Sequence, residues 1–314
     1  MSYMKVKVVI VLLLGITIGV IVALFEPEKV LAKRIISAVL LEDQTESDAT
    51  ESGITEEGVS ILKDVATSTS LIFDVPNEYA NATSSPLSIK VPVIIYHSVR
   101  PYIKGESKYQ DLYDVTPELL EQELTFIEKN DYHTIDMRDV DAYWSGATSS
   151  LPDKPVILTF DDGWRNQYKY AFPLLTKHHM KGVFYIFTNP IDHKKPHWMS
   201  WADVIALDHA GMEVAGHSRT HPVLAKITAD TKLDYEILES KQIIESHLGH
   251  PIISFAYPFG AKNKQVERAV ERAGYHVART TYSGVWNDPD HRYQFHGTLS
   301  SDKLSQFESL LEKK

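Results

Sequence analysis

The chain contains no cysteine. That removes disulfides, thiolate-bound zinc and thiol nucleophiles together, so any metal centre has to be built from His, Asp or Glu. Basic residues are also in deficit: 32 Lys and Arg stand against 42 Asp and Glu, a net charge of −10. This balance argues against a protein that binds nucleic acid through a broad basic surface. Histidine is missing from the first 96 residues, and all 14 histidines fall at or after His97. What is present is ordinary: 314 residues, 43% hydrophobic and 24% charged, enough for one large core with appendages and too apolar for wholesale disorder.

The chain divides by composition. Residues 1–7 are a short flank holding Lys5 and Lys7. Residues 8–25 form an uncharged apolar run, and as a helix they would extend roughly 27 Å, close to the thickness of a bilayer's hydrocarbon core. The run predicts a transmembrane signal anchor, with a cleaved signal peptide as the alternative. Residues 26–89 carry twelve acids and four bases, and read as an acidic, largely flexible linker that buries too little to offset its ordering entropy. Residues 90–314 hold every histidine and read as the folded body.

Within that body, apolar runs at 91–96, 156–160, 182–187, 213–216, 252–256 and 275–278 predict strands. Helical spacing at 117–127, 170–178, 201–209, 233–248 and 265–273 predicts helices between them. The alternation implies an α/β domain with a mostly parallel sheet, barrel or open. In such folds the chemistry sits at the carboxyl ends of the strands.

Two features occupy those ends. The strand at 156–160 runs directly into Asp161-Asp162-Gly163, and the strand at 213–216 into His217-Ser218-Arg219-Thr220-His221. Taken alone, the acids read as well as a turn with an Asp helix cap, and the histidines as unrelated surface residues. Together they supply one carboxylate and two imidazoles for a divalent ion with open positions, plus an adjacent carboxylate able to take a proton from water. That is equipment for metal-assisted hydrolysis of an amide or ester.

Thr159-Phe160-Asp161-Asp162-Gly163, then His217-Ser218-Arg219-Thr220-His221, then Ala256-Tyr257-Pro258-Phe259-Gly260 resemble the ordered motifs of the polysaccharide deacetylases, also called the NodB homology family or carbohydrate esterase family 4. The resemblance implies a distorted (β/α) barrel and a divalent metal, most often zinc. It assigns Asp161 as catalytic base and Asp162, His217 and His221 as metal ligands. The third motif departs from the usual form, in which an arginine orienting the base stands where this chain has Ala256. A later Asp-x-x-Asp-Trp motif and a Leu-x-His motif carrying the acid histidine are also missing. These departures resemble the poly-N-acetylglucosamine deacetylase branch, whose early strand ends in Tyr-His, here Tyr96-His97. By that resemblance His97 is the general acid, with His296 as its rival and a purely structural histidine as the bland alternative. Tyr257, Pro258, Phe259, Gly260 and Trp164 are candidate substrate-lining residues, although the aromatics, with Trp198 and Trp201, read equally as packing. Arg279 is a weak candidate to replace the missing arginine.

The resulting expectation is a single-pass bacterial membrane protein, or a secreted one if the run is cleaved. Its extracytoplasmic domain would use a divalent metal to remove N-acetyl groups from an N-acetylglucosamine polymer. An O-acetyl esterase and a catalytically degenerate glycan-binding protein of the same fold are the alternatives. The expected partners are the polysaccharide and, through the N-terminal helix, the membrane; none is a nucleic acid.

Overall fold

Successive residues of a strand face opposite sides of a sheet, and here that alternation delivers the chemistry to one place. The computed structural model describes residues 88–104 and 114–312. The expected membrane span at 8–25 and all but the last two residues of the expected linker lie outside them. Among the described residues no helix is long and apolar enough to cross a membrane.

The chain opens with β1 (Ile89–Lys90), β2 (Val93–Tyr96), β3 (Ser98–Val99), β4 (Asp114–Val115), α1 (Pro117–Lys129), β5 (His133–Thr134) and α2 (Met137–Trp144). It continues through β6 (Pro155–Phe160), α3 (Phe172–Lys177), β7 (Val183–Ile186), α4 (Thr188–Asp192), α5 (Trp201–His209), β8 (Glu213–Gly216) and α6 (Asp230–Leu248). The last elements are β9 (Ser254–Ala256), α7 (Lys264–Arg272), β10 (Val277–Arg279), β11 (Trp286–Asn287), β12 (Thr298–Leu299) and α8 (Leu304–Leu311).

Strands β12, β2, β6, β7, β8, β9 and β10 are neighbours in that order and all parallel. β5 adds to the first residues of β6. Residues 295–299 link the two edges: Phe295 exchanges backbone hydrogen bonds of 2.9 Å with Ala278 and Thr280, and β12 then pairs with β2. The sheet therefore curls into a parallel half-barrel, consistent with the distorted barrel expected.

Two cores follow from the alternation. Val93, Ile157, Tyr185, Ala215, Ala256 and Val277 pack inside the curl, with Met137, Val140 and Trp144 of α2. Ile94, Leu158, Phe184, Val214, Phe255 and Ala278 face outward under the helices. Extending the inward rows past the strand ends brings His97, Asp161, His217 and Arg279 to the same side. Glu213, at the other end of β8, accepts from the backbone N–H of Met137 at 2.7 Å, so α2 sits at the opposite end of the curl.

Helix boundaries follow local chemistry. Asp136 and Asp139 form a capping box on α2, Ser200 and Asp203 one on α5, and Gly249 in the left-handed region ends α6. Three expectations shift. The helix expected over 170–178 is a π-helical turn, Gln167–Ala171, running into α3. The strand expected at 275–278 begins at Val277, because Tyr275 turns away to pack on Gly216, where an added Cβ would lie 2.1 Å from its hydroxyl. The first strand also straddles the boundary drawn between linker and body, since Ile89 pairs with Asn287. The spacing did not reveal α2, whose eight residues bury Met137, Val140 and Trp144.

Candidate active site

Two residues adjacent along a strand point to opposite faces, so Asp161 and Asp162 share a cleft only if the chain leaves extended geometry between them. It does: Asp162 has φ 74° and Gly163 φ 71°. Ser218, His221 and Phe259 also have positive φ, and with Asp162 they make four of the eight such non-glycine residues among those described. Strain of this kind, of the order of 1–3 kcal/mol per residue, persists where surrounding structure enforces it.

Asp162, His217 and His221 converge. His221 Nε2 lies 3.2 Å from His217 Nε2 and 3.2 Å from Asp162 Oδ1, and His217 Nε2 lies 3.5 Å from the same oxygen. A tetrahedral ion about 2.0–2.1 Å from each ligand holds those ligands roughly 3.3–3.4 Å apart. The triangle has that size, and its donor set of two imidazoles and one carboxylate suits a borderline divalent cation. Asp162 Oδ1 is buried with no hydrogen-bond donor of its own. His217 Nδ1 is 2.7 Å from the carbonyl of Ala256, which fixes its tautomer and leaves Nε2 bare toward the centre of the triangle. Burial alone would raise the Asp162 carboxyl, but contacts with His217 and His221 hold it far below the usual carboxylate range.

The loop between the histidines is not helical. Ser218 Oγ accepts from the His221 N–H at 3.0 Å, and Glu236 of α6 reaches into the loop. Its carboxylate accepts from the backbone of Arg219 at 3.1 Å and of Thr220 at 2.8 Å, and from the Thr220 hydroxyl at 2.5 Å. Glu236 carried no signal in the sequence beyond being an acid on a long helix.

Asp161 is 2% exposed and belongs to a different partner. Arg279, fully buried at the end of β10, places Nη2 2.6 Å from each carboxylate oxygen. The guanidinium also lies over the Tyr185 ring, 4.9 Å from its centroid. The weak candidate is thus the residue on the acid, and it stands 118 positions along the chain.

His97 and the four residues of the two motifs line one cleft of about 1750 Å³, with Trp164, Tyr257 and Phe259 on its walls. Burial lowers the His97 imidazole below its ordinary range, against the opposing pull of Asp161 and Asp162. His296 is not among the lining residues; it packs on Asn287, whose Oδ1 accepts from its N–H at 2.8 Å. Trp164 donates its indole N–H to Asp162 Oδ2 at 3.1 Å and stacks on Trp198, with 4.6 Å between centroids. The Tyr257 hydroxyl donates to the Tyr293 carbonyl at 3.1 Å, so it is already engaged within the protein. Phe259 is 63% exposed beside His221. Pro258 is buried, and Gly260 packs so closely on Thr281 that a Cβ would strike its hydroxyl at 2.1 Å.

Residues 148–278 match the family described as polysaccharide deacetylase. His97 lies before that segment and Arg279 one residue beyond it. YxkH of Bacillus subtilis, whose name carries the same family description, is 24% identical over 216 residues, covering 69% of this chain and 73% of that protein. The structure of Streptococcus pyogenes deacetylase PplD in complex with acetate matches with a TM-score of 0.67 at 22% identity, over 72% of this chain and 100% of that one. A de-N-acetylase from Aggregatibacter actinomycetemcomitans matches with a TM-score of 0.62 at 19% identity, over 70% of this chain and 99% of that one. These two likenesses establish a shared fold.

Proposed function

Because this chain belongs to the polysaccharide deacetylase family, we propose that it hydrolyses N-acetyl groups on an N-acetylglucosamine-containing polysaccharide, using a divalent cation, most readily zinc, held by Asp162, His217 and His221. The observation that carries the reading is the ligand triangle with the Asp161–Arg279 pair beside it. When bound, the cation supplies Lewis acidity to the acetyl carbonyl and to the attacking water.

The remaining work falls to side chains. Asp161, held by Arg279, takes the proton of the water as it attacks the carbonyl carbon. The C–N bond breaks only if the leaving amine gains a proton, and His97 is the group in the cleft assigned to deliver it. The cleft exceeds the ~300–1,000 Å³ typical of small-ligand pockets, which favours a polymer segment over a single sugar. Phe259 and Trp164 offer apolar faces to it.

The apolar run at 8–25 supports a bacterial membrane anchor with the domain outside, where such polymers lie. Chemical sequencing of the mature N-terminus separates anchor from cleaved signal.

The decisive experiment follows acetate release from β-1,6-linked N-acetylglucosamine oligomers by the full chain with zinc. Asp161→Asn is expected to lower the rate by about 10²–10⁴-fold. Release that persists in that variant overturns the assignment of the base. Release only from O-acetylated glycans moves the activity to ester hydrolysis.

A further inference from the structure

The two groups assigned to proton transfer sit on different strands, His97 after β2 and Asp161 after β6. Their separation therefore depends on how two strand ends are held together. The backbone ladder between β2 and β6 runs through the Tyr96–Phe160 pair, and Asp161 N–H still donates to the Tyr96 carbonyl at 2.8 Å. Beyond it a side chain takes over. Gln167 Nε2 lies 2.5 Å from the carbonyl oxygen of His97 and 2.5 Å from that of Asp161. An amide nitrogen carries two protons, one for each carbonyl.

Gln167 is fully buried, and its Oε1 has no hydrogen-bond partner. An apolar residue there would spare the unpaired Oε1 but would take the amide donor from the carbonyl oxygens of His97 and Asp161. The residue opens the π-helical turn Gln167–Ala171, an irregular segment of a kind that recurs at functional sites. The preceding Asn166 acts on the same junction, donating to Ser98 Oγ at 2.8 Å and accepting from the Val99 N–H at 3.3 Å.

We infer that Gln167 is a positioning residue that sets the distance between His97 and Asp161 by clamping their two backbone carbonyls. The inference rests on the roles proposed for those two residues. Proton transfer on both sides of one carbonyl tolerates little misplacement, and a shift of about 1 Å is enough to cost of the order of 10²-fold in rate.

The test uses the full chain with zinc and the N-acetylglucosamine oligomers. Gln167→Met, similar in length and without donors, is expected to lower kcat by roughly 10–100-fold, with KM and zinc affinity within about threefold. Leu175→Ala, which opens a cavity in the adjoining α3 away from the cleft, serves as the stability control. It should lose at least as much thermal stability while keeping kcat within about twofold. A Gln167→Met enzyme with unchanged kcat, or a Leu175→Ala enzyme that loses kcat equally, overturns the proposal. A second measurement needs no variant: through-hydrogen-bond scalar couplings from the Gln167 side-chain nitrogen to the carbonyl carbons of His97 and Asp161. Absence of either coupling overturns the clamp. Both couplings in a chain that releases no acetate would overturn the functional reading and leave the clamp standing.

Discussion

Arg279 holds both carboxylate oxygens of Asp161 at 2.6 Å although the two residues lie 118 positions apart. The relationship explains how this chain manages without the arginine usual at the start of the third motif. Ala256 occupies that place on β9, and the guanidinium comes instead from β10, the next strand in the sheet. Arg279→Met leaves a buried carboxylate without its counter-charge. We expect a stability loss of about 3–5 kcal/mol and a fall in acetate release of at least about 10²-fold, read by urea unfolding and by product assay. An unchanged unfolding midpoint would show that Asp161 is solvated in solution.

Removal of the metal is predicted to cost stability by mass action. A cation at 100 times its Kd adds about 2.7 kcal/mol. The melting temperature should therefore rise with added zinc and return to baseline with chelator. His217→Ala and His221→Ala should show no zinc-dependent rise, since each takes one ligand from the triangle. A rise of the same size in either variant would place the ion elsewhere.

Glu236 is expected to matter for metal affinity without touching the metal. Its carboxylate carries three hydrogen bonds from the loop between His217 and His221, the two proposed histidine ligands. Glu236→Leu removes all three, and zinc affinity should fall by about 10–100-fold, the range seen when groups supporting metal ligands are lost. Calorimetric titration measures this directly, with no substrate present. An affinity within twofold of the parent would show that the loop holds its shape alone.

Glu123 should make stability pH-dependent. It is buried in α1, accepts from the Tyr96 hydroxyl at 2.9 Å, and has its other oxygen unpartnered. Burial pushes its pKa up to about 8, against the smaller lowering by Tyr96. Between an unfolded value of about 4.3 and the folded value, the native state keeps a proton that the unfolded chain releases. Stability therefore falls as pH rises through that window, and the penalty is absent below it. Glu123→Gln should unfold at nearly the parental urea concentration near pH 4 to 5. It should gain of the order of a few kcal/mol over the parent near pH 9. Parallel pH profiles for the two proteins would show that Glu123 is hydrated.

Much of the site was legible in the sequence because the strand ends are written locally. A buried apolar run followed by Asp161-Asp162-Gly163 or by His217 marks its own terminus, and alternation along the strand states which face the next residue occupies. The order of strands and helices was readable for the same reason. Arg279 was named only as a weak stand-in, and Glu236 and Gln167 were not distinguished at all. An arginine after a short strand, an acid on a helix and a glutamine before an aromatic run have no local signature.

The sequence by itself therefore named the side chains that meet in the cleft and the strands that bear them, and its lack of cysteine excluded a thiolate from that cleft. The tertiary structure alone decided how those groups are held. Curling of the parallel sheet brings β10 to the acid on β6, α6 to the histidine loop, and the π-helical turn beneath two strand ends. Those partners meet through sheet order and layer packing, which depend on contacts between distant segments, and no periodicity along the chain encodes such a meeting.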